Sequence, residues 1–255
     1  MKAGLVICIA LGLNSMSAFA SDVATTNKRP VRLSMAERRL RARQNNGGTI
    51  VSKPEGSVLE VINCQTAVPL SMLQEVSEQI MRHTRIPIVF TDKKSESAGA
   101  SLEIVVNDTA PSLVSAIDDG WAKANFKMLV ADNPSEQKLR QRVTKQLWRA
   151  IGASLGIGVS GFQPSIMRNI ANVKELDNIP MSQPEPASLN CFDECPLFFG
   201  IEKIRITTYR KACEEGWAPA PTNDIQKAIW DQVHTTPSNP IKITYDKDKQ
   251  KPVVK

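Results

Sequence analysis

Histidine is the scarcest chemical resource of this chain, whose 255 residues include only His83 and His234. A metal site built from three histidines is therefore excluded, and a Ser-His-Asp triad would have to use one of these two. His83 lies at the end of a helical stretch beside Arg82 and Arg85, a poor setting for a general base. A helix C-terminus favours it there through the dipole, and His234, just past the last helical stretch, reads the same way. The chain has no G-x-S-x-G and no Walker loop. Gly156-Ile157-Gly158 lacks the preceding strand that a dinucleotide fingerprint requires. The paired acids Asp118-Asp119 and Glu214-Glu215 read as solvated turn and helix-end residues. Aromatic residues make up 5% of the chain, and Trp217 and Trp230 read as packing residues.

Long apolar runs are also missing after the first twenty residues. Those twenty have the form of a secretory signal: Lys2 is the charged start, residues 5–13 a short apolar run, and Ala18-Phe19-Ala20 a small-x-small cleavage site before Ser21. The run is too short to span a bilayer comfortably. The expectation is an exported protein, periplasmic or secreted, without a transmembrane segment in the mature chain. Cys8 falls within the signal and the residue directly after the cleavage site is Ser21, not cysteine, which speaks against a lipid anchor.

Net charge is absent from the body of the chain. The formal net charge is +6. Lys2 supplies one unit, and residues 21–43 supply +5 through seven Lys and Arg against Asp22 and Glu37. Residues 44–255 therefore net zero. The basic balance of the mature chain sits in the arm from Lys28 to Arg43, where Ser34 and Glu37 have capping-box spacing. Asn45-Asn46-Gly47-Gly48 breaks that helix, and the next residues read as linker. The arm suits an anionic surface, or is a solvated tail; no aromatic accompanies its arginines as a stacking platform. The expected organisation is a signal at 1–20, a basic arm and linker at 21–56, one domain at 57–245 and a charged tail at 246–255.

Four cysteines remain: Cys64, Cys191, Cys195 and Cys213. In an exported chain this even number permits two disulfides in three pairings. Cys191 and Cys195 could bridge locally, or either could staple to Cys213. A metal reading of Cys191 and Cys195 with Cys213 or His234 is weak, because the spacing is not C-x-x-C.

Within the domain, residues 58–64 (VLEVINC) read as a buried strand and residues 69–83 as an amphipathic helix bearing Leu70, Leu73, Val76 and Ile80. Residues 86–91, 102–106 and 113–117 read as strands. Asp118-Asp119-Gly120 supplies a hairpin-type turn. Residues 121–131 (WAKANFKMLVA) read as a fifth strand. A long helix follows from Ser135 with Leu139, Val143, Leu147, Ile151 and Leu155 every four residues, ended by Gly156 and Gly158. Beyond a Pro-rich loop, residues 198–215 permit a helix, although Ile204, Ile206, Thr207, Thr208 and Tyr209 favour strand. Residues 224–233 form a last helix.

Residues 149–167, RAIGASLGIGVSGFQPSIM, resemble the active-site helix and Met-turn of the metzincin zinc proteases, whose pattern is H-E-x-x-H-x-x-G-x-x-H followed by a turn bearing Met. With the family glycine on Gly156, the three ligand positions fall on Arg149, Ala153 and Val159. The general-base position falls on Ala150, and Met167 stands at Met-turn distance. A guanidinium cannot ligate zinc, Ala153 and Val159 have no donor atom, and Ala150 cannot accept a proton. The element order over residues 58–180 resembles the archaemetzincin-like group in particular. The resemblance implies an α+β, zincin-like mixed sheet with a long helix carrying the degenerate motif and a small C-terminal helical region. It also implies a strand at or near the sheet edge, residues 121–130, as a cleft wall that pairs with peptide. The expected function is a non-catalytic, exported pseudo-protease without a cofactor, binding a peptide or protein partner or serving as a structural envelope protein. Arg149 would meet a partner carboxylate or an internal acid. The alternatives are a metallopeptidase with atypical ligands, or a basic-arm protein on an anionic surface.

Overall fold

The computed structural model describes residues 34–96, 98–107 and 113–235, and the backbone of two short strands at 244–245 and 252–253. The expected signal, the start of the arm and most of the charged tail lie outside the described residues. By its contacts the chain divides into two units, Met1–Leu40 and Arg41–Lys255. In the first, helix α1 (Met35–Asn45) begins with the expected capping box. Ser34 N–H donates to Glu37 Oε2 (2.7 Å) and Glu37 N–H to Ser34 Oγ (3.2 Å).

The second unit is built on strand β2 (Leu59–Asn63), whose first four residues are all buried. Burial on both faces marks an interior strand, and the one acid in it, Glu60, accepts the Ser95 N–H (2.8 Å). Helix α2 (Leu70–Thr84) follows, burying Met72, Leu73, Val76 and Ile80 at helical spacing. Its chain turns at Arg85 in the left-handed region (φ 63°) and returns as β3 (Ile88–Thr91). Strands β4 (Ala100–Val105), β5 (Val114–Asp118) and β6 (Trp121–Asn125) complete a sheet of order β3-β2-β4-β6-β5. All neighbours are parallel except β5, which runs antiparallel to β6. The fold class is α+β with a mixed sheet, as expected.

Two expectations about residues 121–131 are corrected. The strand stops at Asn125, and Lys127–Val130 is a short helix, α3. Asn125 Oδ1 accepts the Lys127 N–H (3.1 Å), and Phe126 and Leu129, three residues apart, are both fully buried. A helical turn buries that pair on one side, which alternation along a strand would not. The second correction concerns pairing. β6 lies one strand in from the edge, near it as expected, but it is hydrogen-bonded to β4 on one side and β5 on the other, so its backbone is spent within the sheet. The edge next to the long helix is β5, which no described strand pairs on its outer side.

Helix α4 (Glu136–Ser154) begins at Ser135, whose Oγ accepts the Lys138 N–H (3.3 Å). Its stripe of Val143, Leu147, Ile151 and Leu155 is buried against the sheet beside α2, with Leu139 half-buried. Two cations anchor it. Arg142, only 2% exposed, donates to Asp132, to Asp177 and to the Leu129 carbonyl. Lys145 Nζ reaches the carbonyls of Leu176 (2.9 Å) and Ile179 (2.7 Å) at the end of α5 (Val173–Asp177). Buried cations are tolerated when each donor finds an acceptor, and here they tie α4 to the segments on both sides.

Past α6 (Pro186–Glu194), the single helix entertained for residues 198–215 is three pieces. A 3-10 turn, Cys195–Phe199, closes at Gly200 (φ 64°), then comes β7 (Ile206–Thr208), then α7 (Tyr209–Glu214). β-Branched Ile206 to Thr208 pair antiparallel with β1 (Thr49–Val51), which lies in the segment expected to be linker. Tyr209, Cys213 and Ile229 form a separate small core with α8 (Asp224–Thr235). A backbone hairpin, β8 (Thr244–Tyr245) with β9 (Pro252–Val253), follows.

Candidate functional site: a groove between the edge strand and the long helix

The C-terminal end of α4 is a Schellman motif. Ile157 N–H donates to Gly152 O (2.8 Å), Gly156 N–H donates to Ala153 O (3.2 Å), and Gly156 sits at φ 69°. Gly156 is thus required by a helix stop, whatever its ancestry. Beyond it the chain forms a loop whose base is tied by Ser160 N–H to Met167 O (3.0 Å).

The motif positions separate into three environments. Arg149 and Ala153, one helical turn apart, are half-buried on one face, with Gly156 one turn further on. Ala150 is fully buried in the core. Val159 has left the helix and is 71% exposed on the loop. Two of the three ligand positions therefore share a face, and the third does not.

Ala153 and Gly156 line one wall of a shallow groove of about 300 Å³ whose other wall is the end of β5 and its turn, Ala116 to Gly120. Asn125 N–H donates to Leu113 O (3.0 Å). By the alternation of antiparallel pairs, the N–H and C=O of Val114 and Ala116 then face away from β6, toward the free edge. A bulge at Ile117 carries the strand into Asp118 and Asp119. The turn is set from below, because a Cβ on Gly120 (φ 73°) would meet the Phe199 ring at 3.0 Å.

The same end of α4 holds the turn that carries Met167. Arg149 Nη1 donates to the carbonyls of Ile166 (3.1 Å) and Arg168, the two that flank Met167. The Met167 side chain, 5% exposed, lies over Gly152. Met167 N–H donates to Ser165 Oγ (2.9 Å), and Ser165 Oγ in turn donates to Glu185. Glu185 also accepts from Ser160 (2.6 Å) and Ser188 (2.8 Å). Burial raises the Glu185 carboxyl, but the hydroxyl bonds from Ser160, Ser165 and Ser188 outweigh it and hold it below the usual range. Burial and then the Arg168 charge push Arg149 down to about 10, so it stays cationic at neutral pH.

Arg149 meets no acid among the described residues: where the sequence led to an internal acid as one alternative, its partners are the backbone carbonyls of Ile166 and Arg168. Arg168, Glu185 and Ser160 went unnoticed in the sequence. Arg168 directly follows the Met-turn residue and could have been suspected from that place, whereas Glu185, between two prolines, has no spacing signal.

Cys64, Cys191, Cys195 and Cys213 all carry free thiols. Cys195 follows Cys191 at the end of α6; burial and then the neighbouring Cys191 raise its thiol, and burial also raises that of Cys213. Raised thiols are poor nucleophiles. His234 stacks on Trp230 (4.1 Å between ring centres) and His83 meets Trp148 edge-on. Among the described residues, no three of His, Cys, Asp and Glu gather in a metal-holding group.

No family model matches the chain, and no curated protein matches it. Among solved structures it is similar to archaemetzincin from Methanopyrus kandleri, with 13% identity over 55% of this chain and 95% of that one (TM-score 0.46). It is similar to archaemetzincin from Archaeoglobus fulgidus complexed with malonate, with 12% identity over 52% and 98% (TM-score 0.42). A zinc-dependent peptidase from Methanocorpusculum labreanum gives 14% identity over 52% and 99% (TM-score 0.40).

Proposed function

We propose that this chain is an exported, non-catalytic peptide-binding protein in which an extended segment of a partner adds to β5 along the groove beside α4. The observation that carries the reading is the free edge of β5. Its Val114 and Ala116 backbone groups face outward, and Ala116 lines the groove. Main-chain pairing to such an edge gives affinity, and the wall opposite gives selectivity. The non-catalytic half of the reading rests on residue chemistry. Arg149, Ala150, Ala153 and Val159 supply neither a ligand nor a base, and Val159 lies off the shared face.

The probe is an acetylated, C-terminally amidated tetrapeptide of alternating valine and alanine, titrated into the ¹⁵N-labelled protein. Amide shifts along residues 113–118 that disappear in Ala116→Pro, which removes an outward N–H, are the expected result. Shifts elsewhere, or none, defeat the groove reading. Stoichiometric zinc in the purified protein together with chelator-sensitive peptide cleavage defeats the non-catalytic one.

A second reading concerns the arm. In α1, Arg38, Arg39, Arg41 and Arg43 are exposed and form no ion pair among the described residues. That supports contact of the segment from Lys28 to Arg43 with an anionic surface. Deleting residues 27–43 should then release the protein from phosphatidylglycerol vesicles; unchanged retention rules this out. No helix among the described residues is long and apolar enough to cross a membrane.

A further inference from the structure

Cys191 and Cys195 stand one helical turn apart at the end of α6, and the 3-10 turn that follows them packs under the groove wall. Both thiols are free and half-buried. Cys195 keeps a helical backbone (φ −58°, ψ −37°), and its N–H donates to Cys191 O. Of the other two thiols, that of Cys213 is 4% exposed in the small core with Tyr209 and Ile229, and that of Cys64 follows β2. Cys191 is held within its helix. Its Sγ lies 3.6 Å from Ala187 O, and the adjacent Phe192, 1% exposed, meets the Trp148 ring edge-on at 5.2 Å.

Helix geometry puts Cα atoms four residues apart at about 6.2 Å, inside the roughly 4.4–6.8 Å that a disulfide accepts. The corresponding Cβ atoms are about 5–6 Å apart, beyond the roughly 3.5–4.5 Å that it requires. A bridge therefore closes only if one end moves by about 1 Å. Cys191 is anchored by its neighbours, so Cys195 moves, and with it the start of the turn Cys195–Phe199. The far end of that turn has no slack. A Cβ on Gly120 would stand 3.0 Å from Phe199 Cε1, and a Cβ on Gly99 would stand 2.5 Å from the Phe199 carbonyl oxygen. Gly120, with Asp118 and Asp119 before it, belongs to the groove wall.

We propose that Cys191 and Cys195 are a reversible redox pair whose closure into a disulfide shifts Phe199 and, through Gly120, resets the groove wall. The oxidant is a low-molecular-weight disulfide, RSSR. The Cys191 thiolate displaces one thiolate from it to give a mixed disulfide, and the Cys195 thiolate then displaces the second from the Cys191 sulfur. The two thiol protons end on the two RSH released, so two cysteines are oxidised and one RSSR is reduced. Burial and then Cys191 raise the Cys195 thiol, which slows the second displacement; that step is intramolecular, which offsets the loss. The bond so formed is strained, and strained disulfides are readily reduced, as reversibility requires. The effect on peptide binding rests on the groove reading; the redox chemistry does not.

The test equilibrates the full chain in reduced or in oxidised glutathione. Peptide mapping without reductant should find Cys191 joined to Cys195 in the oxidised sample, and excess reduced glutathione should open the bridge. The ¹⁵N amide signals of residues 118–120 should differ between the two forms. The acetylated valine-alanine tetrapeptide amide, followed by calorimetry, should bind the oxidised form about three- to tenfold more weakly. Cys195→Ser should show neither change in oxidised glutathione. An unbridged pair, a glutathione adduct that stays on Cys191, or a bridge from either residue to Cys64 or Cys213 overturns the redox pair. A bridge that leaves residues 118–120 unmoved, or peptide binding that is equal in the two forms, overturns the coupling to the groove. Absence of peptide binding in both forms defeats the groove reading alone, since a reversible bridge with shifts at 118–120 still sustains the redox pair.

Discussion

Gly152→Ala is the sharpest perturbation of the site, because two effects of known size oppose each other there. Gly152 lies in the last turn of α4. In an exposed helix interior, replacing glycine by alanine stabilises by up to about 1 kcal/mol. At this position the new Cβ would stand 2.4 Å from Met167 Cε and 3.4 Å from Phe192 Cζ. Cε is the end of a flexible side chain, but Met167 is 5% exposed, and its backbone is held by the two carbonyls that Arg149 grips. Overpacking of this kind costs about 1–3 kcal/mol. The expected net change is therefore a loss of about 1 kcal/mol, or roughly 2–4 °C in Tm for a domain of this size. Urea unfolding followed by tryptophan fluorescence measures it. The control is Met167→Leu, which shortens the side chain and removes the clash; in that background Gly152→Ala should become neutral or stabilising. Gly152→Ala stabilising the otherwise native protein would refute the packing of the Met-turn on α4.

Further outcomes follow from the same geometry. Gly156→Ala has room for its Cβ but must hold φ near 69°, so it should cost about 1–2 kcal/mol, while Gly158→Ala, with nothing nearby and no positive φ, should be neutral or slightly stabilising in the same urea assay. Arg149→Met should cost about 2–4 kcal/mol, since it leaves the Ile166 and Arg168 carbonyls without their donor, and hydrogen exchange of residues 160–168 should accelerate. Glu185 has a lowered folded value, so its contribution is present above the ordinary glutamate range and is lost as pH falls through the folded value. Glu185→Gln should flatten the acid side of a Tm-against-pH curve there, and an unchanged curve would rule out that role. Asp132, held at about 2 chiefly by its hydrogen bonds from Arg142, should titrate there by carboxyl NMR and move toward 3.8 in Arg142→Gln.

The sequence made the sheet and its helices legible where burial is one-sided or complete. The run at residues 59–63 and the four-residue stripe of α4 follow from the period of their apolar residues. It misled at residues 121–131 because Trp121, Lys123 and Asn125 alternate as a strand does, and only the burial of Phe126 with Leu129 ends that period. The edge position passed to β5 for a reason no local pattern carries. Which strand ends a sheet is set by long-range pairing, and β6 pairs with β4, sixteen or more residues earlier in the chain.

The site was half legible for a related reason. The identities that remove zinc chemistry can be read directly, since Ala153 and Val159 offer no donor in any fold. What replaces that chemistry cannot be read that way. Arg149 was expected to seek a carboxylate, and along a single helix that expectation is sound. Folding brings the carbonyls of Ile166 and Arg168 to it instead, from 17 and 19 residues away. Residues 149–167 are therefore held by specific contacts: a cation on two carbonyls, a methionine on a glycine, and a serine-glutamate tie beneath the loop. Such contacts keep the helix, the Met-turn and the groove wall in fixed relation with no metal ligand among them. The groove wall formed by Ala153 and Gly156 thus takes its place from the end of α4, which Arg149 ties to the carbonyls on either side of Met167.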